Sequence, residues 1–256
     1  MPRFFVRQDQ ISENIIVLRG DDAHHVARSL RMAVGDAVTV CDMQGNEYDC
    51  RIASFDDDKE VRVSVLSVKH AENEPPLKIR LYQALPKGDK LDTIIQKAVE
   101  CGAFEIIPFE SERCVVKVKG DAEERKTERR RRISAEAAKQ CGRSLLPNVE
   151  PTVSFEKMLE LSGADDLCLF CYEGDGTEPL GEVLKREKNF FSECEGKTVS
   201  VIIGSEGGFS VAEAQKIKEN GARAVGLGKR ILRTETASGF VLSCIVYVTE
   251  LGGITW

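Results

Sequence analysis

From residue 77 onward, short apolar runs alternate with amphipathic segments, and this alternation constrains the fold more than any other feature of the chain. Five runs have the composition of strands: KIRLYQAL, AFEIIPF, DLCLFCY, TVSVIIG and ARAVGLG. Segments with helical spacing lie between and after them, among them KLDTIIQKAVECG, VAEAQKIKENG and TASGFVLSCIVYVTEL. Unbroken apolar strands are typical of a parallel sheet that helices cover on both faces. The sequence therefore predicts an α/β domain over residues 77–256.

The first seventy or so residues follow a different pattern. Strand-like runs are interrupted by one short helical segment, DDAHHVARSLRM, and the runs are FFV, NIIVL, DAVTVCDM, EYDCRIASF and EVRVSVLSV. Short strands joined by turns favour a small β-barrel, because closure removes unpaired sheet edges. We expect a β domain over residues 1–72. The polar segment HAENEPP ends in two prolines, which continue neither a helix nor a strand, and is predicted to be a linker.

Several classes of protein are disfavoured by simple absences in the sequence. No run of eighteen apolar residues is available to span a bilayer, and MPRFFVRQD lacks the features of a secretory signal, so we expect a cytoplasmic protein without membrane association. Among nine cysteines, only Cys168 and Cys171 form a C-x-x-C pair. In the strand predicted there, residues three apart face opposite sides. We therefore expect buried thiols and no metal site.

The net charge of −6 argues against a nucleic-acid partner, but the charge is unevenly distributed. Residues 77–146 hold 16 basic and 11 acidic side chains. Much of the positive charge lies near helical spacing in one segment, at Arg125, Arg129, Arg132, Lys139 and Arg143. Such a face is either a solvated helix surface or an RNA-contacting stripe, and the sequence leaves both interpretations open.

The segment VIIGSEGGFS, residues 201–210, runs from a predicted strand directly into a glycine-rich loop. In open parallel sheets, ligands bind beyond the carboxyl ends of the strands. Ser210 and Glu213 predict a capping box for the next helix, and the glycines allow backbone amides to approach a ligand. The loop is therefore a candidate binding site, with a tight turn that holds no ligand as the alternative.

The chemistry of this loop disfavours phosphate. No Lys-Ser or Lys-Thr follows the glycines, Glu206 would repel an anion, and G-S-E-G-G does not match the dinucleotide pattern G-x-G-x-x-G. A second loop, LGKRILRTETASG, is expected at the same sheet edge and brings Arg233 and Glu235 to the pocket. Thr234 and Thr236 suit two roles equally well: a place in this pocket, or capping of the helix that follows.

Taken in order along the chain, these motifs match one known group of proteins. The combination of FFV, QALPKGDKLDTIIQKAVECG, EAAKQCGR followed by Pro147, IGSEGGFS and LGKRILRTETA resembles the bacterial small-subunit ribosomal RNA uridine-N3 methyltransferases, which belong to the SPOUT class. The resemblance covers nearly the whole chain. It implies a PUA-like RNA-binding barrel, an α/β domain with a C-terminal trefoil knot, and a homodimer. Ser205 departs from the family, which usually has proline there.

The resemblance also implies a cofactor, S-adenosylmethionine, and residues for its pocket. These are Leu169, Tyr172, Ile203, Gly204, Ser205, Glu206, Gly207, Gly208, Phe209, Leu227, Gly228, Ile231, Leu232, Arg233 and Thr234. Methylation at uracil N3 requires removal of the imide proton or stabilisation of the anion. Arg233 is the candidate cation, and Glu206 or Glu235 is the candidate proton acceptor.

Candidate RNA contacts come from both parts of the chain. Near the N-terminus, Arg3 offers a cation and Phe4 an aromatic ring for stacking. The short helical segment of the β domain adds His24, Arg28 and Arg31. Only one of Phe4 and Phe5 is expected to be exposed. The resemblance adds Lys87, Lys90 and Arg143 as phosphate contacts.

The expected function is methylation of N3 of a specific uridine in 16S ribosomal RNA of the small subunit, with S-adenosylmethionine as the methyl donor. The alternative is a catalytically idle RNA-binding factor of ribosome assembly with the same fold. A third interpretation is a nucleotide-dependent enzyme that uses the glycine loop for phosphates.

Overall fold

The computed structural model describes residues 1–57, 59–115 and 121–252. Two units divide the chain. The first is Met1–Glu74 together with Ala138–Leu146, and the second runs from Pro75 to Ala137 and from Pro147 onward. The segment Ala138–Leu146, which the sequence assigns to the second domain, therefore belongs to the first unit.

The first unit contains one sheet of five strands, which are β1 (Arg3–Phe5), β2 (Ile15–Arg19), β3 (Ala37–Cys41), β4 (Asn46–Asp57) and β5 (Glu60–His70). Their order is β1-β3-β4-β5-β2. β1 pairs with β3 in parallel, and the other neighbours are antiparallel. Outside the sheet lie a 3₁₀ turn and a short helix that continues as a π turn, namely Gln8–Gln10, α1 (Asp21–His24) and His25–Ser29.

Alternation of apolar and polar residues builds the core of this sheet. In β5, Val61 and Val63 are fully buried while Arg62 between them is exposed. Ile16 and Leu18 of β2 point to the same core, as the period of two along a strand requires. All five strand-like runs of the sequence are strands in the structure.

The second unit contains a seven-stranded sheet. Its strands are β6 (Lys78–Ala84), β7 (Ala103–Phe109), β8 (Asn148–Val149), β9 (Leu167–Cys171), β10 (Glu178–Pro179), β11 (Thr198–Ile203) and β12 (Arg223–Gly226). The order is β10-β12-β9-β11-β6-β7-β8, and every neighbouring pair is parallel. The prediction of a parallel α/β sheet is confirmed.

Helices connect these strands. They are α2 (Lys90–Glu100), α3 (Asp121–Cys141), α4 (Phe155–Ser162), α5 (Leu180–Arg186), α6 (Lys188–Ser192), α7 (Val211–Glu219) and α8 (Thr234–Thr249). The segment PLGEVLKREKNFF forms two helices, α5 and α6. They are separated at Glu187, whose backbone angles (φ −87°, ψ 19°) lie outside the α-helical region.

Strand β11 occupies the centre of the sheet, between β9 and β6. Val199, Val201, Ile202 and Ile203 are all buried, as expected for a strand covered on both faces. Because all the strands run in the same direction, the loops after β6, β9, β11 and β12 leave the sheet at one edge. This edge carries the candidate site.

Membrane-spanning helices and clusters of metal ligands are both absent from the residues that the structure describes. Within residues 1–57, 59–115 and 121–252, no helix combines the length and apolar character needed to cross a membrane. The same ranges hold no group of three His, Cys, Asp or Glu side chains placed to bind a metal ion. The knotted chain path that the family resemblance implies stays a prediction.

Candidate functional site

A cavity of about 510 Å³ opens at the carboxyl edge of the second unit's sheet. Its wall is formed by Lys90 at the start of α2, the end of β9 with the loop after it, and the loops after β11 and β12. The lining residues are Lys90, Cys171, Tyr172, Glu173, Thr177, Ile203, Gly204, Ser205, Glu206, Gly208, Phe209, Gly226, Leu227, Gly228, Lys229, Arg230, Ile231, Leu232, Arg233, Thr234 and Ala237. Two loops that are distant in sequence therefore face one pocket, as the sequence predicts.

The loop after β11, residues 204–209, folds as a tight turn. The Gly208 amide donates to the Ser205 carbonyl oxygen at 2.9 Å, and Gly208 has a φ of +63°, which favours glycine. The capping box that follows is confirmed, since Glu213 N–H donates to Ser210 Oγ and Ser210 N–H donates to Glu213 Oε2, at 3.3 and 3.0 Å. The turn is thus anchored between β11 and a well-capped α7.

A buried hydrogen-bond network fastens the two loops together. The Thr234 hydroxyl donates to the Gly204 carbonyl oxygen at 2.7 Å, and Gln83 Nε2 donates to Thr234 Oγ1 at 2.9 Å. Gln83 is fully buried at the end of β6, and Thr234 is 5% exposed. Sequence reasoning missed Gln83, although a lone amide in the apolar run KIRLYQAL is a detectable signal.

The carboxylate of Glu206 is committed to partners on the loop after β6 and on α2. Lys90 Nζ lies 2.6 Å from Glu206 Oε1, and the Lys87 amide donates to Glu206 Oε2 at 3.2 Å. Burial alone would raise the pKa of Glu206, but these hydrogen bonds outweigh it and hold the pKa below its ordinary value. Glu206 is therefore held ionised, which makes it a weak proton acceptor.

Arg233 and Glu235 stand at the start of α8. Arg233 is exposed and lines the cavity, and its carbonyl oxygen accepts the Thr236 and Ala237 amides that begin the helix. Glu235 Oε2 lies 3.8 Å from Lys90 Nζ and has no hydrogen-bond partner among the described residues. Lys90 therefore stands between the two carboxylates proposed as bases.

The comparisons with known proteins agree with this geometry. The RNA methyltransferase domain family matches residues 73–246, and the RNA methyltransferase PUA domain family matches residues 18–66. A ribosomal RNA small subunit methyltransferase E from Bacillus subtilis is 37% identical over 98% of this chain and 98% of its own length. The chain belongs to the ribosomal RNA small subunit methyltransferase E family. The resemblance read from the motifs is thereby confirmed.

Two further members of the methyltransferase E family extend the comparison. One, from Synechocystis, is 32% identical over 97% of this chain and 78% of its own length. The other, from Neisseria gonorrhoeae, has a crystal structure bound to S-adenosyl methionine. It is 28% identical, has a TM-score of 0.83, and covers 97% of this chain and 98% of that chain. The α/β fold with an N-terminal PUA-like domain is confirmed.

Most residues that the methyltransferase E family resemblance assigns to the pocket do line the cavity, but Leu169 does not. Leu169 is fully buried in the middle of β9, opposite Val201, and this corrects its assignment. The wall at this position is made instead by Cys171 and Glu173, which sequence reasoning did not name. Gly207 belongs to the same turn but is absent from the described lining.

An aromatic cluster supports the loop from behind. Phe209 is 4% exposed and meets the Phe170 ring edge-on, with centroids 5.0 Å apart. Phe170 stacks on Tyr172 with ring centroids 5.1 Å apart.

Cys168 lies in the same strand, β9, and is buried. Burial raises the pKa of its thiol to about 12, so it behaves as a small apolar residue.

Two candidate RNA contacts of the first unit are corrected by their burial. Phe4 is 2% exposed within the sheet core and offers no free face for stacking. Arg143 is 5% exposed, and its Nε donates to Glu74 Oε2 at 2.8 Å. A guanidinium that is buried and paired in this way is a structural contact rather than a surface for phosphate.

The other candidate RNA contacts differ in exposure. The Arg3 side chain is 14% exposed and donates to Glu47 and to Cys41 Sγ, so it is ion-paired as Arg143 is. His24, Arg28 and Arg31 are exposed, as is Lys87 in the second unit, whereas Lys90 faces the cavity.

Proposed function

We propose that this chain transfers a methyl group from S-adenosylmethionine to N3 of a uridine in 16S ribosomal RNA of the small subunit. The observation that carries the proposal is the cavity that the loops after β11 and β12 form together at the carboxyl edge of a parallel sheet. Family membership supplies the reaction class, and the crystal structure from Neisseria gonorrhoeae with S-adenosyl methionine supplies the cofactor by analogy.

The residues of the cavity fit this cofactor. A volume of about 510 Å³ lies within the range of about 300–1,000 Å³ that is typical of small-molecule sites. Ile203, Leu227 and Leu232 give apolar contact for an adenine ring, and the glycine-rich backbones give amides and carbonyls. Glu173 and Glu206 suit a ligand with cationic groups, and the loop lacks the lysine of a phosphate cradle.

The cofactor supplies an electrophilic methyl group when it is bound. The chain must then hold uracil N3 in line with this group and remove its proton, and alignment alone is worth up to about 7–11 kcal/mol in model reactions. Arg233, exposed at the cavity, is placed to stabilise negative charge on the uracil as its proton leaves.

We assign the proton-acceptor role to Glu235 rather than to Glu206. Glu206 is held by Lys90 and by the Lys87 amide, and its pKa is lowered. Glu235 is not among the residues that line the cavity, and its side chain is 23% exposed. Its Oε2 is buried and has no hydrogen-bond partner among the described residues, so the carboxylate is uncommitted but must turn towards the cavity to reach the uracil. Lys90 Nζ lies 3.8 Å from this carboxylate.

We also propose roles for the two parts of the chain. Residues 1–72 are an RNA-binding domain that uses Arg3, His24, Arg28 and Arg31, and residues 77–256 are the catalytic domain. The exposed apolar side chains Phe240 and Tyr247 of α8, with Leu251 just after it, support a homodimer, because the described residues leave them uncovered. A cytoplasmic location follows from the substrate.

The test is transfer of labelled methyl from S-adenosylmethionine to small ribosomal subunits that lack the modification, followed by nucleoside analysis. We expect N3-methyluridine as the product, and loss of product in Arg233→Ala at saturating cofactor and RNA. Methyl incorporation at another base position would overturn the uridine-N3 assignment.

Calorimetry with S-adenosylmethionine separates the alternatives. Saturable heat with transfer supports the methyltransferase, whereas RNA binding without heat would identify an idle assembly factor. Heat with ATP alone would identify a nucleotide-dependent enzyme.

A further inference from the structure

Residues 110–115, the described part of the loop after β7, are not in the cavity lining but contact the glycine loop directly. β7 pairs with β6, and β6 pairs with β11, so the loops after these strands leave the same sheet edge. Arg113 Nη1 donates to the Gly207 carbonyl oxygen at 3.1 Å. A Cβ added at Gly207 would lie 3.1 Å from Arg113 Cβ and 3.3 Å from the Arg113 carbonyl oxygen, so a side chain there would require Arg113 to shift by a few tenths of an ångström.

This contact fixes one peptide group at both ends. The carbonyl of Gly207 and the amide of Gly208 belong to the same peptide plane. Arg113 holds the carbonyl oxygen, and the Ser205 carbonyl oxygen accepts the Gly208 N–H at 2.9 Å. A peptide between two glycines meets the least steric resistance to rotation, so it needs such fixing more than any other.

A second tether holds the same two segments together. The Glu112 amide donates to Glu213 Oε1 at 2.8 Å, and Glu213 is 6% exposed at the first turn of α7. The same carboxylate caps its own helix through Ser210 N–H. Residues 112 and 113 therefore contact the chain on both sides of Phe209, whose ring lines the cavity.

We propose that Arg113 is a positioning residue for the cofactor: by fixing the Gly207–Gly208 peptide, it holds the glycine loop in the shape that forms the wall of the cavity. The inference rests on the proposed function. Arg113 acts through the loop and not by contact with the ligand, so its removal should weaken cofactor binding even when no RNA is present.

The test measures S-adenosylmethionine affinity by calorimetry, without RNA, for wild type, Arg113→Ala and Arg113→Lys. Loss of a charge-assisted hydrogen bond at a partly solvated site should weaken binding by about 10-fold in Arg113→Ala. Arg113→Lys should lie between the two, because an ammonium can donate to the carbonyl but lacks the planar fork. Arg132→Ala, an exposed arginine of the same unit paired with Glu128, is the matched control.

Amide hydrogen exchange of the free protein gives a readout that needs no cofactor. We expect faster exchange at residues 204–209 in Arg113→Ala, with the melting temperature and the exchange of β11 unchanged. Unchanged affinity and unchanged exchange, with only RNA binding reduced, would overturn the inference and make Arg113 an RNA contact. If wild type binds no S-adenosylmethionine, the proposed function fails, and the exchange data alone still decide the role of Arg113 in the loop.

Discussion

Thr234 offers the sharpest test of how the two loops are fastened. Its hydroxyl donates to the Gly204 carbonyl oxygen at 2.7 Å and accepts from Gln83 Nε2 at 2.9 Å, and both side chains are buried. Thr234→Val keeps the shape and removes both hydrogen bonds. At about 1 kcal/mol net for each bond, the free energy of unfolding should fall by about 2 kcal/mol, which is roughly a 30-fold change in the folding equilibrium.

The assay is urea unfolding followed by circular dichroism, together with a thermal melt. For a chain of this size, about 2 kcal/mol corresponds to a melting temperature lowered by roughly 4–8 °C. Thr234→Ser is the control, because it keeps the hydroxyl and loses only a methyl group, at a cost of about 1 kcal/mol. A Thr234→Val protein within about 0.5 kcal/mol of wild type, or one more stable than Thr234→Ser, would refute the reasoning, since the hydroxyl would then contribute nothing.

Three further predictions follow from single side chains. Ser205→Pro should raise the melting temperature by a few degrees. Ser205 Oγ is buried without a hydrogen-bond partner among the described residues, and proline restricts the unfolded chain. A lower melting temperature would contradict this prediction. The pKa of Glu206 is lowered, so its contribution to stability is complete above the ordinary value of 4.5 and disappears only as the pH falls through the lower folded value. A carbon NMR titration of this carboxyl should therefore have a midpoint below 4.5 in wild type and a higher one in Lys90→Met, and a wild-type midpoint above 4.5 would contradict the ion pair. A thiol reagent at pH 8 should label the exposed Cys141 well before Cys168, whose thiol pKa is about 12; equal rates in the folded protein would show that Cys168 is accessible.

The strands and the position of the site were predictable because their signals are local. Apolar runs predict buried parallel strands, and a glycine loop after β11 predicts a binding edge. What the sequence could not show depends on the direction in which a side chain points. Alternation along β1 predicts that one of Phe4 and Phe5 is buried but not which one, and in the structure Phe4 is the buried residue. The position of Leu169 within β9, rather than at its end, is likewise set by strand register.

The ion-pair partners of charged residues also could not be predicted from the sequence. Lys90 is separated by more than a hundred residues from Glu206, and Arg143 by 69 from Glu74, so no short-range pattern links either pair. An exposed cation and an ion-paired one have the same letter in the sequence. Phosphate contacts assigned from resemblance therefore needed the fold before Arg143 could be recognised as a structural residue.

The hydrogen bond between Gln83 and Thr234 joins residues 151 positions apart, and this separation has a consequence for synthesis of the protein. Chains leave the ribosome N-terminus first, so Gln83 lacks its Thr234 partner until the start of α8 has been made. Closing so long a loop costs entropy before any contact compensates for it. A nascent chain that already contains the glycine loop thus still lacks the second wall of its cavity. The cavity is complete, and can bind a ligand, only when the start of α8 has been made. A ligand at 100 times its dissociation constant then stabilises the folded protein by about 2.7 kcal/mol.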